Sequence, residues 1–447
     1  LDSVKEKIEE QNIDVDFDQV VSRISFFVNG SIRFIEELCK LKAFGRLWSD
    51  LVHERYGVTS DVARRFRYGV QVNSLGLTEE QPENNVQRIV LEMLGVTLAK
   101  DSRARAIQLP AWNEALGLPR PWDQQWSLRI QQVLALESDL LEYEDIFEGS
   151  TVIEAKVNEL TSEIEAELDR IIEMGGAIAA LESGYLKGAL VASHAQRRSK
   201  IESVELAVVG VNIHQSTEPS PLSLSTNILV VDPQVEARRI AEVQTFKAER
   251  DRTGVEGALA ELDAAVQRGR GVVEASIAAA KVGVTTGEWS AILRSHFGEY
   301  RSPTGVVDSI THRTPAIEAV RARVDELAAR IGHRPRILIG KPGLDGHSNG
   351  AEQIAVRARD CGFEVIYQGI RLGSEEIVAA AVAEDVDVIG ISILSGSHRI
   401  LVGEILDSLA RVKATDIPVI VGGIIPPEDA EWLASIGVAA TFTPKDF

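Results

Sequence analysis

The stretch Lys341-Pro342-Gly343-Leu344-Asp345-Gly346-His347-Ser348-Asn349-Gly350 decides how the last third of this chain is read. The run before it, Arg336–Gly340 (RILIG), is almost wholly apolar, and the segment near 349–360 after it has helical spacing. A continuous apolar run suits a strand buried on both faces. The decamer is then a strand-to-helix loop, the place where doubly wound sheets bind their ligands. Its glycines let backbone pass close to a bulky group. It presents one imidazole, His347, with a carboxylate two residues before it and an ammonium four residues before that. An imidazole that donates one ring N–H to a carboxylate has its tautomer fixed and its other nitrogen made more basic, the arrangement of a tuned metal ligand. Lys341 can hydrogen-bond Asp345 in turn.

Working outward, residues 364–368 (EVIYQ), 386–392 (VDVIGIS), 417–422 (IPVIVG) and 439–442 read as further strands. Helical stretches near 374–384, 398–412 and 427–436 separate them. Residues 333–447 are thus expected to form a five-stranded, flavodoxin-like domain with its ligand at the carboxyl ends of the strands. Asp345, His347 and Gly350 resemble the D-x-H-x-x-G signature of cobalamin-binding domains. That short pattern is weak alone. Ser392-Ile393-Leu394 matches the S-x-L element at the end of the third strand, and Gly422-Gly423 the glycine pair after the fourth. Thr443, near the last strand, is the least specific of these matches. The resemblance implies that His347 ligates the cobalt in place of the cofactor's own base, and that the nucleotide tail lies in a groove beside the sheet. Lys341, Asp345, Gly346, Gly350, Ser392, Leu394, Gly422, Gly423 and Thr443 would then touch or support the cofactor. Cys361 reads as a core thiol and His398 as a residue at a helix start.

The first region, 1–120, alternates the same elements. Residues 20–28 (VVSRISFFV), 66–72 (FRYGVQV) and 104–109 (ARAIQL) read as strands. Between them lie a helix with Ile35, Leu38, Leu41, Phe44, Leu47 and Leu51 on one stripe, and a second over 84–98 with Val86, Ile89, Met93 and Val96. This order implies parallel strands with right-handed crossovers. Three such units do not close a (β/α)8 barrel, which takes about 250 residues. Residues 121–332 read as a mostly helical linker. Residues 151–174 carry an apolar stripe (Ile153, Val157, Leu160, Ile164, Leu168, Ile171), and 236–283 are again helical. Residues 208–212 (VVGVN), followed by Glu218-Pro219-Ser220-Pro221, predict a short strand and an extended connection.

Arg23-Ile24-Ser25-Phe26-Phe27 with Leu47-Trp48, Gln81-Pro82-Glu83-Asn84-Asn85, residues 113–119 (NEALGLP) and Gly210-Val211-Asn212 resemble segments of the methylmalonyl-CoA mutase family, in the family's order of barrel, linker and cobalamin domain. The resemblance implies a radical rearrangement of an acyl-CoA carbon skeleton with adenosylcobalamin. It assigns Arg23, Ser25 and Arg67 to the substrate, places Gln71 in the same mouth beside the thioester or carboxylate, and puts Glu114 on the ribose of the adenosyl group. Plainer readings stand beside these: a buried ion pair and strand cap for Arg23 and Ser25, a surface arginine for Arg67, a helix cap for Glu114. Methylmalonyl-CoA mutases carry R-x-H-x-Q-T-S-G-W, whereas residues 67–75 here read RYGVQVNSL, with Gly69 at the histidine position. Residues 69–79, 108–129 and 340–355 resemble the ethylmalonyl-CoA mutase branch, which implies ethylmalonyl-CoA to methylsuccinyl-CoA. Methylmalonyl-CoA mutase and a cobalamin carrier module of a methyltransferase are the alternatives.

Of 447 residues, 45% are hydrophobic and 26% charged, with a formal net charge of −20. That balance argues against nucleic acid or an anionic membrane as partner, since both need a basic face. An anionic acyl-CoA would need a local cationic pocket. Two cysteines in unrelated contexts fit a reducing, cytoplasmic compartment. A homodimer is expected. Leu1-Asp2-Ser3-Val4-Lys5 is neither an initiator methionine nor a signal peptide, so barrel strands are expected upstream, and the chain by itself is expected to lack mutase activity.

Overall fold

A computed structural model describes residues 1–443 apart from 219, 223–227, 230–232, 270, 302, 307–314 and 395. It separates into two bodies, one of Leu1–Leu229 with Thr304–Phe447, the other of Val230–Pro303. The smaller body is helical, with Pro233–Glu249, Arg252–Gln267, Val273–Lys281 and Thr286–Phe297. Its last helix starts on a capping box between Thr285 and Glu288, and Glu288 also pairs with Arg250 at 2.5 Å.

The larger body holds two parallel sheets. In the first, β1 (Phe26–Gly30), β2 (Tyr68–Val72) and β3 (Ala106–Gln108) lie in the order β1-β2-β3. Helices Phe34–Tyr56 and Asn85–Thr97 make the crossovers. Alternation along the strands divides the sheet into two faces. Phe26, Val28, Tyr68, Val70 and Ile107 pack under Leu38, Leu41 and Val96, and under Ile153 and Val157 of helix Thr151–Glu173. The opposite face carries Phe27, 61% exposed, and the residues in register Asn29, Gln71 and Gln108. Since the helices lie outside in a (β/α) barrel, this second face is the one that turns inward.

The second sheet contains β4 (Arg336–Gly340), β5 (Glu364–Tyr367), β6 (Val388–Ile393), β7 (Val419–Gly423) and β8 (Ala440–Phe442), all parallel, in the order β5-β4-β6-β7-β8. This is the expected doubly wound topology. Its strand order reverses between β4 and β6, so the crevice opens beyond their carboxyl ends. One face packs Leu338, Ile389, Ile391 and Val421 against helices Ser374–Ala383 and His398–Arg411. The other packs Ile337 and Ile339 against Ala351, Ala355 and Val356 of helix Asn349–Asp360, and against Val191 of the upstream helix Tyr185–Glu202.

Three sequence expectations fail. Residues 20–22 are helical, in Phe17–Ser22, not part of a strand. The Asp16 side chain caps that helix by accepting from the Asp18 N–H at 3.0 Å, and Val21 is fully buried with Val52 and Val58. Residues 208–212 form a tight turn, with Gly210 at φ +86°, closed by the Asn212 side chain on Val208 N, Ile201 O and Leu206 O. Pro219, expected to extend the chain there, lies outside the described residues. Cys361 is a half-buried helix C-cap residue, not a core thiol.

Candidate functional site

The loop after β4 reaches the switch point and is organised by one carboxylate. Asp345, its side chain 4% exposed, accepts four hydrogen bonds, as many as its oxygens can hold. Oδ2 takes Lys341 Nζ at 2.7 Å and the Leu394 N–H at 3.3 Å. Oδ1 takes the His347 N–H at 3.0 Å and the His347 ring at Nδ1 at 2.6 Å. Lys341 is fully buried. Burial alone would raise the Asp345 pKa. The Lys341 ammonium and the His347 backbone and ring donors outweigh it and hold the carboxyl well below its usual range. Ionised, Asp345 only accepts, so Nδ1 carries the hydrogen and Nε2 presents its lone pair. The His347 side chain is 78% exposed, and Leu344 beside it is 92% exposed. A basic nitrogen and an apolar side chain thus project from the loop while their carboxylate anchor is buried.

The neighbouring strand ends fit a bulky group with a buried tail. Ser392 lies at the end of β6 and Leu394 just beyond it, next to Gly422 and Gly423 of β7, with Ser392 in register with Gly422 and Ile393 with Gly423. Ser392 is itself buried. A Cβ on Gly422 would meet nothing closer than Phe442 O at 4.0 Å, so space is open above it. Gly423 differs. At φ +153° its Cβ would fall 1.8 Å from Ile393 O, so it is glycine because the backbone of β6 is there, not to make room. Gly343, at φ +79°, turns the loop onto Leu401. Gly346 faces Arg371 and Gly350 faces open space. Thr443 follows β8 and is half-buried. His398 starts its helix as expected, buried, with Nε2 on Asp429 at 2.7 Å.

The residues expected at the barrel mouth separate by strand direction. Arg23, Ser25 and Arg67 precede β1 and β2 and stand at the amino ends. Arg23 and Ser25 are exposed, Arg23 as the C-cap of helix Phe17–Ser22, so the buried ion pair is ruled out. Arg67 folds back onto Val62 O, and its Nη1 is buried without a partner among the described residues. Burial first, then the nearby Arg105 and Arg65, lowers its pKa. Gln71 shares a face with Arg67 but lies four residues, about 13 Å, further along the strand. It therefore does not share one mouth with Arg23 and Arg67. Glu114 lies beyond β3 at the carboxyl ends, in a turn built on buried Asp123, which accepts from Trp112 Nε1 and Asn113 Nδ2 at 3.0 Å each. The Glu114 carboxylate caps no helix and has no side-chain partner among the described residues. Sequence reasoning missed Asn29 and Gln108, which flank Gln71, and Arg105, whose charge acts on Arg67. The register that joins them is not local in sequence. It also missed the Leu394 N–H, for which no side-chain signal exists.

A doubly wound domain with an exposed, carboxylate-held imidazole at its switch point, joined to parallel β/α units, defines a cobalamin-dependent class of protein. Residues 335–445 match the profile of the B12 binding domain, and residues 5–299 that of methylmalonyl-CoA mutase. The chain belongs to the methylmalonyl-CoA mutase family. It is 56% identical to ethylmalonyl-CoA mutase of Cereibacter sphaeroides over 448 residues, covering 100% of this chain and 68% of that protein. It is 56% identical to ethylmalonyl-CoA mutase of Methylorubrum extorquens over 441 residues, 97% of this chain and 64% of that protein. Identity to methylmalonyl-CoA mutase of Escherichia coli is 33% over 436 residues, 96% and 60%. The chain thus spans about two thirds of the length of these curated relatives.

Proposed function

We propose that this chain forms the larger part of an adenosylcobalamin-dependent acyl-CoA mutase that interconverts ethylmalonyl-CoA and methylsuccinyl-CoA. The observation that carries the reading is His347, exposed, with Nε2 directed outward and Nδ1 held by buried Asp345. When bound, adenosylcobalamin supplies the radical that opens the rearrangement. The chain's own residues ligate and position. His347 offers Nε2 to the cobalt, Asp345 and Lys341 fix its tautomer, and Ser392, Leu394, Gly422, Gly423 and Thr443 line the groove for the tail. Arg23, Ser25 and Arg67 meet the CoA portion at the amino ends, while Gln71 and Glu114 serve the reacting end. In this reading residues 1–120 are the last part of the barrel, 121–332 the linker and 333–447 the cobalamin domain.

Gly69 supports the ethylmalonyl branch. A Cβ there would lie 3.2 Å from Cδ2 and Cε2 of Phe27, whose ring covers the position that is histidine in methylmalonyl-CoA mutases. Among the described residues no helix is long and apolar enough to cross a membrane. A cytoplasmic homodimer completes the proposal, checked by light scattering. The deciding assay incubates the protein, purified from its own source, with adenosylcobalamin and ethylmalonyl-CoA, and follows products by mass spectrometry. Methylsuccinyl-CoA formed in preference to succinyl-CoA from methylmalonyl-CoA is the expected result. The reverse preference would overturn the reading.

A further inference from the structure

The helix that begins beside His347 is gripped from far upstream. Lys187 lies in helix Tyr185–Glu202. Its Nζ donates to Ser348 Oγ at 3.2 Å and pairs with Glu352 Oε1 at 2.6 Å. Ser348 directly follows His347 and is the N-cap of helix Asn349–Asp360, but its side chain caps nothing. Glu352 lies in the first turn, one helical turn further on, and its side chain is 3% exposed. One ammonium therefore holds two positions of the turn into which His347 runs. Between the two helices Val191, fully buried, packs with Ala351, Ala355 and Val356, and at the far end Arg357 pairs with Glu202.

The first turn of a helix carries N–H groups without intrahelical partners and frays unless it is tied down. A nearly buried carboxylate deprived of its cation pulls toward water. Without Lys187, Glu352 would draw the first turn outward, and the main chain of His347 would follow. The sheet side of the loop, through Asp345, fixes the ring. The helix side, through Lys187, fixes the backbone that carries it.

We propose that Lys187 is a positioning residue: from the upstream helix it holds the Ser348–Glu352 turn so that His347 is placed for cobalt before the cofactor arrives. This rests on the cobalt-ligand reading of His347. The test uses the 447-residue chain labelled with 15N-histidine and titrated with cob(II)alamin, read by affinity and by electron paramagnetic resonance. Protein-nitrogen coupling is expected in the wild type, and its absence would overturn the ligand reading and this inference with it. Lys187→Met should bind about tenfold more weakly, as losses around a ligand's supporting shell do. It should also show the protein-nitrogen coupling in only part of the population, and Lys187→Arg should restore both. Lys187→Met with wild-type affinity and full coupling would overturn this inference alone. If Lys187→Met does not fold by thermal melt, Ser348→Ala, which keeps the ion pair, decides. A measurable loss of coupling supports the proposal and an unchanged spectrum removes it.

Discussion

Asp345→Asn tests the site at its centre, because it keeps the shape and changes only what the group can accept. The carboxylate now receives two donors at each oxygen: Lys341 Nζ and Leu394 N on one, His347 N and Nδ1 on the other. An amide has one acceptor oxygen, and its NH2 must face donors on the other side. Lys341 is fully buried, and abandoning a buried cation costs about 3–5 kcal/mol. The amide oxygen should therefore turn to Lys341 and the NH2 to His347. The imidazole can meet that NH2 only by accepting at Nδ1, which moves its hydrogen to Nε2 and removes the lone pair needed for cobalt. Lys341 keeps a neutral acceptor, so the stability loss should stay near 2 kcal/mol, about the worth of a charge-assisted hydrogen bond. Cobalamin affinity should fall 10- to 100-fold or so. Absorbance titration with hydroxocobalamin, thermal melts, and protein-nitrogen coupling in the cob(II)alamin form give the three quantities. An Asp345→Asn protein with wild-type affinity and undiminished coupling would refute the tautomer argument.

The two glycines of β7 should separate by assay. Gly423→Ala, whose Cβ would meet Ile393 O at 1.8 Å, should cost at least about 3 kcal/mol in melting experiments. Gly422→Ala should leave stability within about 1 kcal/mol but weaken cobalamin roughly tenfold by filling the groove; unchanged binding would show that the tail lies elsewhere. Glu92, buried and near Glu37, has its pKa pushed up to about 8 from an ordinary 4.5, against the pull of Arg197 and Arg88. Its native state keeps a proton that the unfolded chain releases, so stability drains as pH rises from about 4.5 to about 8. Glu92→Gln should flatten that slope in melts across the range, and an unchanged slope would place the proton elsewhere. Arg105→Ala should weaken CoA itself, with no acyl group attached, by about tenfold in calorimetry; equal affinity would remove the amino-end arginines from CoA binding.

How much was legible in the sequence depended on how local each cause is. The doubly wound sheet was legible because its strands are apolar runs bounded by loops. The Lys341–Asp345–His347 set was legible because all three lie in one loop, at spacings that let the side chains meet. Residues 20–22 were misread because Val20 and Val21 extend an apolar run into β1, and the overriding signal, the Asp16 cap, lay outside that run. The turn at 208–212 depends on one asparagine side chain that replaces strand pairing with three local bonds. The Leu394 N–H, the Asn29–Gln71–Gln108 row and the Lys187 grip are products of tertiary register. They join residues 37 to 165 positions apart, and no local pattern encodes that.

Strand direction also resolves the tension between an acidic chain and an anionic substrate. The net charge of −20 is spread over the whole chain, whereas Arg23, Arg65, Arg67 and Arg105 gather at the amino ends of β1–β3. Burial first, and then repulsion from Arg105 and Arg65, lowers the Arg67 pKa, so a nearby anion would favour its charged form. Further along the same face the side chains become neutral: Phe27, then the three amides, whose side chains have no hydrogen-bond partner among the described residues. Beyond the carboxyl end of β3 stands Glu114. An acyl-CoA has the same order of chemistry, anionic at its nucleotide, amide-bearing along its arm and reactive at its acyl end. On the proposed function, the parallel direction of three strands aligns that sequence of groups with its partners, and the low overall charge discourages anions that cannot extend past the arginines to the amides.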